Sequence, residues 1–125
     1  MDKKVLVVDD EPLFCEMVRR FLEGRGYSVV EAYDGDQALV VYDQARPDVI
    51  LLDVRMPGKD GLQVLRELKV IDPAASVIMV AAVRDEELAR MARAEGALEY
   101  ITKPVDLDYL DSVIATTMEL IDADA

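Results

Sequence analysis

Five short runs of apolar, largely β-branched residues punctuate the chain. They are Val5-Leu6-Val7-Val8, Ser28-Val29-Val30-Glu31-Ala32, Val49-Ile50-Leu51-Leu52, Val77-Ile78-Met79-Val80 and Tyr100-Ile101. Each is followed by a stretch whose apolar positions recur every three or four residues, the spacing that lines one face of an α-helix. Met17, Val18, Phe21 and Leu22 share one such face, ended by Gly24, and Leu62, Leu65 and Leu68 share another before Asp72-Pro73. Leu88, Met91 and Ala92 form a third, closed by Gly96, while Leu110, Val113, Ile114, Thr117 and Ile121 form the last. A weaker helical pattern (Ala38, Leu39, Val41, Tyr42) runs from Gly35 to Ala45 and stops before Arg46-Pro47. β-α repeated five times predicts a parallel sheet with helices on both faces. The unbroken apolar character of the first, third and fourth runs fits strands buried on both sides. No linker, repeat or second domain interrupts the pattern, so residues 1–125 read as one domain.

Composition narrows the function. The chain has 125 residues, 52% of them hydrophobic, enough for a real core. With 14 basic and 26 acidic residues its formal charge is −12, a field that repels nucleic acid backbones and anionic bilayers. Neither direct nucleic acid binding nor a membrane association is therefore expected, and no apolar run reaches membrane-spanning length. The start, Met1-Asp2-Lys3-Lys4 followed by a short strand-like run, does not read as a signal peptide. The single Cys15 lies among Leu13, Phe14 and Met17 and reads as a packed thiol in a reducing cytoplasm. Histidine is absent, which excludes imidazole base catalysis and His-ligated zinc. After Lys103 no basic residue occurs, but Asp106, Asp108, Asp111, Glu119, Asp122 and Asp124 do. They read either as the solvated outer face of the last helix or as a docking surface for a basic partner.

Ligands of open α/β sheets bind beyond the carboxyl ends of the strands. There stand Asp9-Asp10-Glu11 after the first strand, Asp53 at the end of the third, Ala81-Ala82 after the fourth and Thr102-Lys103-Pro104 after the fifth. Neighbouring carboxylates raise one another's pKa, and a divalent cation removes that conflict. All-oxygen ligands suit Mg²⁺ or Ca²⁺. The calcium-loop spacing is absent, since Asp53-Val54-Arg55 puts arginine where a ligand belongs, so Mg²⁺ is the expected cofactor. A carboxylate beside Mg²⁺ with a lysine across the pocket is the minimal apparatus for nucleophilic attack on a phosphoryl group.

Three motifs together give the chain a resemblance that covers essentially all of it. Val7-Val8-Asp9-Asp10-Glu11, Leu51-Leu52-Asp53-Val54-Arg55-Met56-Pro57-Gly58 with Asp60-Gly61, and Tyr100-Ile101-Thr102-Lys103-Pro104 resemble those of response-regulator receiver domains of bacterial two-component signalling. The resemblance implies a flavodoxin-like (CheY-like), doubly wound α/β fold with five parallel strands in the order 2-1-3-4-5 and five helices. It implies that Asp53 accepts a phosphoryl group from a phosphohistidine on a sensor histidine kinase or histidine phosphotransfer protein, and the missing histidine agrees with that division of labour. By the same carry-over, Asp10, Asp53 and the backbone carbonyl of Arg55 bind Mg²⁺, Asp9 acts through metal-bound water, and Lys103 pairs with phosphoryl oxygens. Lys103-Pro104 resembles the family's cis peptide, and Pro57-Gly58 shapes the loop after the acceptor. Such a protein catalyses only its own phosphorylation and dephosphorylation and is not otherwise an enzyme.

At one position the chain departs from the family. Receivers usually carry Thr or Ser at the end of strand four, where this sequence has Ala81, while the aromatic partner of the switch is present as Tyr100. Losing a charge-assisted hydrogen bond of about 1.5–3 kcal/mol leaves Mg²⁺ and Lys103 to hold the phosphoryl group. The smaller Ala81 either lets Tyr100 occupy an inward position beforehand or is merely a small packed residue. Arg55 and Val83 stand where the family tunes phosphoryl lifetime. The resemblance places signal output on the face of the fourth helix, fifth strand and fifth helix, around 84–95 and 100–121. That face would meet an output domain, a target protein or a second copy in a homodimer. No output domain is expected within residues 1–125. A haloacid-dehalogenase-type phosphatase needs a D-x-D spacing that is absent, and a nucleotide-binding flavodoxin-like domain needs a glycine-rich loop where Asp10-Glu11-Pro12 stands. The remaining alternative is a receiver-shaped binding module that works without phosphorylation.

Overall fold

A computed structural model describes residues 3–124, so Met1 and Asp2 of the amino-terminal reading, and the side chain of Asp124, lie outside the described positions. The elements alternate throughout: β1 (Lys4–Val8), α1 (Pro12–Gly24), β2 (Ser28–Ala32), α2 (Gly35–Ala45), β3 (Val49–Asp53), α3 (Gly61–Ile71), β4 (Val77–Ala81), α4 (Glu86–Ala94), β5 (Glu99–Thr102) and α5 (Leu107–Asp124). The strands form one parallel sheet in the order β2-β1-β3-β4-β5. Both the element order and the strand order are those the sequence implied.

Strand side chains alternate between faces, and the two cores follow from that period. Val5, Val7, Val49, Leu51, Ile78, Val80 and Ile101 point to the face covered by α1 and α5. Leu6, Val8, Ile50, Leu52, Val77, Met79, Ala81 and Tyr100 point to the face covered by α2, α3 and α4. All five residues of β3 and of β4 are buried, as central strands covered on both sides must be. β2, at the sheet edge, is only half-buried along most of its length.

Helix starts are set by acidic caps. Asp34 accepts the Gln37 N–H, Asp60 the Gln63 N–H, and Asp85 the N–H groups of Glu87 and Leu88. Helix α1 instead begins with a proline, whose missing N–H costs nothing in the first turn. One helical stripe differs from the sequence reading: Met17 is 43% exposed, and α1 buries Cys15, Val18 and Leu22. Successive helical residues turn by about 100°, so a stripe centred on Val18 leaves Met17 at its margin. In α5 Met118 joins Leu110 and Ile114 in the core. No described helix is long and apolar enough to cross a membrane. Arg25, capping the end of α1, pairs with Asp108 and Asp111 of α5 at 3.1 Å each, so part of the acidic tail ties the two helices together.

Candidate functional site

Strand β1 lies between β2 and β3, so the connections leaving β1 and β3 diverge to opposite faces and open a crevice above their carboxyl ends. Asp53 is the last residue of β3, and Asp9 and Asp10 follow β1 directly. One oxygen from each of Asp9, Asp10 and Asp53 lies within 4.8 Å of the others. Asp9 and Asp53 are buried, at 1% and 6% exposure, whereas Asp10 faces solvent.

The three carboxylates are not equivalent. Both oxygens of Asp9 are engaged: Oδ1 accepts the Glu11 N–H at 2.9 Å and Oδ2 accepts Lys103 Nζ at 2.7 Å. Asp53 has a weaker hold on its surroundings, with the Arg55 N–H at 3.4 Å from Oδ1 and Lys103 Nζ at 4.0 Å from Oδ2. Burial, followed by the nearby Asp9 charge, raises the Asp53 pKa from 3.8 to about 6 against the opposing pull of Lys103. Lys103 is affected in both senses. Burial lowers its pKa, but the Asp9 hydrogen bond and the charges of Asp53, Asp9 and Glu11 outweigh that and raise it. The sequence joined Lys103 to the phosphoryl site, and the structure turns its ammonium first toward Asp9.

Backbone geometry fixes the end of β3 around Asp53. The Gly61 N–H donates to Val54 O at 2.7 Å, drawing the start of α3 against the end of β3. A Cβ at Gly61 would stand 2.2 Å from Asp53 O and 2.8 Å from Val54 Cα, so the approach is open only to glycine. Between them, Pro57 and Gly58 turn the loop, with Gly58 at φ +80. Lys103-Pro104 is a cis peptide, and the Lys103 N–H donates to Ala81 O at 2.7 Å. Beside the acidic cluster, Val54, Arg55, Met56, Asp60, Leu62 and Leu88 line a cavity of about 400 Å³.

Farther along the edge, Ala81 is buried and Tyr100 is only 3% exposed. The Tyr100 hydroxyl donates to Val83 O at 3.0 Å, and the Arg84 guanidinium lies over its ring at 5.8 Å. Burial, chiefly, raises the Tyr100 pKa. The Val83 side chain is exposed, as is Arg55. Cys15 is buried, its thiol donating to Asp9 O at 3.5 Å and pushed up to about 12, first by burial. Two contacts of Lys103 were missed in the sequence: Glu11 Oε1 at 3.4 Å and the Phe14 ring at 4.4 Å from Nζ to its centroid. Pro12, read as a helix start, would have placed Phe14 in the first turn beside the strand ends.

A doubly wound sheet of this order, with carboxylates over its switch point and a lysine just past β5, defines a flavodoxin-like domain with an acidic pocket whose oxygens could hold a hard cation. The response regulator receiver domain family matches residues 5–115, and the chain belongs to that family. It is 32% identical over 120 residues to sporulation initiation phosphotransferase F of Bacillus subtilis, covering 96% of this chain and 97% of that protein. It is 38% identical over 110 residues to transcriptional regulatory protein ZraR of Salmonella typhimurium, covering 88% of this chain but 25% of that one. The chain thus spans about a quarter of the length of such transcriptional relatives. A receiver domain protein from Clostridium thermocellum superposes with a TM-score of 0.93 at 31% identity, covering 98% of this chain and 99% of that one. CheY in a CheX–CheY–BeF3–Mg complex from Borrelia burgdorferi gives 0.88 at 28% identity, covering 93% and 89% respectively.

Proposed function

We propose that Asp53 accepts a phosphoryl group from a phosphohistidine of a sensor histidine kinase or histidine phosphotransfer protein, in a Mg²⁺-dependent transfer. The observation that carries this reading is the contrast between the carboxylates. Asp53 is buried and loosely held, with Lys103 poised 4.0 Å away, while Asp9 has both oxygens committed. An Asp53 oxygen attacks phosphorus, the new O–P bond forms as the N–P bond breaks, and the departing electron pair stays on the donor's imidazole nitrogen. Lys103 neutralises charge gathering on the phosphoryl oxygens.

The acidic cluster fits Mg²⁺, since its donors are all hard oxygens and Asp10 is open to a cation that keeps its waters. Asp10, Asp53 and the Arg55 carbonyl would hold the ion, and the committed oxygens of Asp9 suit a role through metal-bound water. Bound there, Mg²⁺ supplies further neutralisation of the phosphoryl charge. The Borrelia neighbour's complex with BeF3 and Mg supports this reading by likeness.

Output through α4, β5 and α5 is supported by the Tyr100 ring, which links β5 to the loop leading into α4 through Val83 and Arg84. A phosphorylation-independent partner interaction is favoured by one observation: with Ala81 beside it, Tyr100 already lies inward. Transfer from a radiolabelled phosphohistidine donor tests the main reading. Label should reach the wild-type chain only with Mg²⁺ and never reach Asp53→Asn. Equal labelling of Asp53→Asn would refute Asp53 as acceptor.

A further inference from the structure

We infer that Phe14 is a positioning residue for the phosphoryl-binding ammonium, its ring holding Lys103 in place without competing for it. This rests on the proposed phosphoryl chemistry and adds to it a residue outside the charged cluster. Among the described residues, Lys103 Nζ lies 2.7 Å from Asp9, 3.4 Å from Glu11, 4.0 Å from Asp53 and 4.4 Å from the centre of the Phe14 ring. The first three are anions, whereas Phe14 is uncharged. The Lys103 side chain is only 15% exposed, so its protein contacts constrain where the ammonium rests.

The contacts differ in what they do when a phosphoryl group arrives. Asp9 and Glu11 attract the ammonium through the same charge that the phosphoryl oxygens offer, so they oppose its transfer. An aromatic face attracts a cation through its quadrupole, and an ammonium shifting by about 1 Å keeps most of that attraction. Phe14 can therefore confine Lys103 near Asp53 while leaving its N–H donors available to the incoming group. The ring is itself anchored: Phe14 lies in the first turn of α1 and packs, partly buried, against the core that contains Cys15, Ile101 and Leu110.

The test compares wild type, Phe14→Leu and Phe14→Tyr by calorimetric titration with beryllofluoride at saturating Mg²⁺, and separately with Mg²⁺ alone. Leucine keeps an apolar side chain and removes the ring, whereas tyrosine keeps the face. Phe14→Leu should bind beryllofluoride about three- to tenfold more weakly, with Mg²⁺ affinity unchanged because the carboxylates are untouched. Phe14→Tyr should restore wild-type affinity, a rescue that a purely packing role for Phe14 does not require. Wild-type affinity in Phe14→Leu, or a Phe14→Tyr variant as weak as Phe14→Leu, overturns the inference and leaves the phosphoryl chemistry standing. A wild-type chain that binds no beryllofluoride overturns both.

Discussion

Asp53 owes its distinct chemistry to position: the last residue of a fully buried strand, with a charged neighbour and few hydrogen bonds. Its raised pKa means that the folded chain binds more protons than the unfolded one between 3.8 and about 6. Stability therefore falls as pH rises through that window, and the cost is complete above it. In Mg²⁺-free buffer at pH near 7.5, Asp53→Asn should be more stable than wild type by about 1–3 kcal/mol, the gain vanishing below about pH 4. Denaturant titrations at a series of pH values check this, and a variant less stable than wild type at neutral pH contradicts it. Gly61 makes a second residue-scale prediction. A methyl group 2.2 Å from Asp53 O forces β3 and α3 apart, so Gly61→Ala should cost about 3 kcal/mol and slow phosphoryl acceptance. Urea unfolding and labelling rates measure the two effects. The motif singled out Gly61, but its steric role depends on a backbone approach between β3 and α3 that no one-dimensional pattern contains.

Among the elements, the proposed switch would join β4, β5 and the loop that leads into α4. Tyr100 sits inward with its hydroxyl on Val83 O, and Ala81 offers no hydroxyl to draw the β4–α4 loop toward a phosphoryl group on Asp53. Ala81→Thr should therefore make the Tyr100 ring respond more strongly to phosphorylation. Ring proton shifts of Tyr100, recorded with and without beryllofluoride, should differ more in the variant than in wild type; equal responses would contradict this account of the switch. The elements themselves were legible because apolar runs and helical stripes alternate without ambiguity, and α2, the weakest pattern, has the bounds its flanking residues marked. Met17 was misplaced because a helix face is set by what packs on it: the sheet beneath α1 centres the stripe on Val18. Lys103 was placed at the right edge, yet its preference for Asp9 depends on which carboxylate oxygens the backbone has already engaged, and that emerges only in three dimensions.

Taken whole, the molecule concentrates an acidic crevice, open at Asp10, at one end of a sheet whose two faces are sealed by apolar cores. The formal charge of −12 disfavours anionic polymers as partners, and a hard cation in the crevice would relieve its densest repulsion. Fold and family were legible in the sequence since three motifs at three strand ends fix both the topology and the convergence of the site. The surroundings of Lys103, with Glu11 and Phe14 among them, were not, because they join residues about ninety positions apart through side chains alone. The central claim, that Asp53 is a Mg²⁺-dependent phosphoryl acceptor, is tested most directly by intact-protein mass spectrometry after incubation with acetyl phosphate. The account predicts a single phosphoryl adduct that requires Mg²⁺ and is absent in Asp53→Asn. An adduct that persists in Asp53→Asn, or none in the wild type with either acetyl phosphate or a phosphohistidine donor, would contradict it.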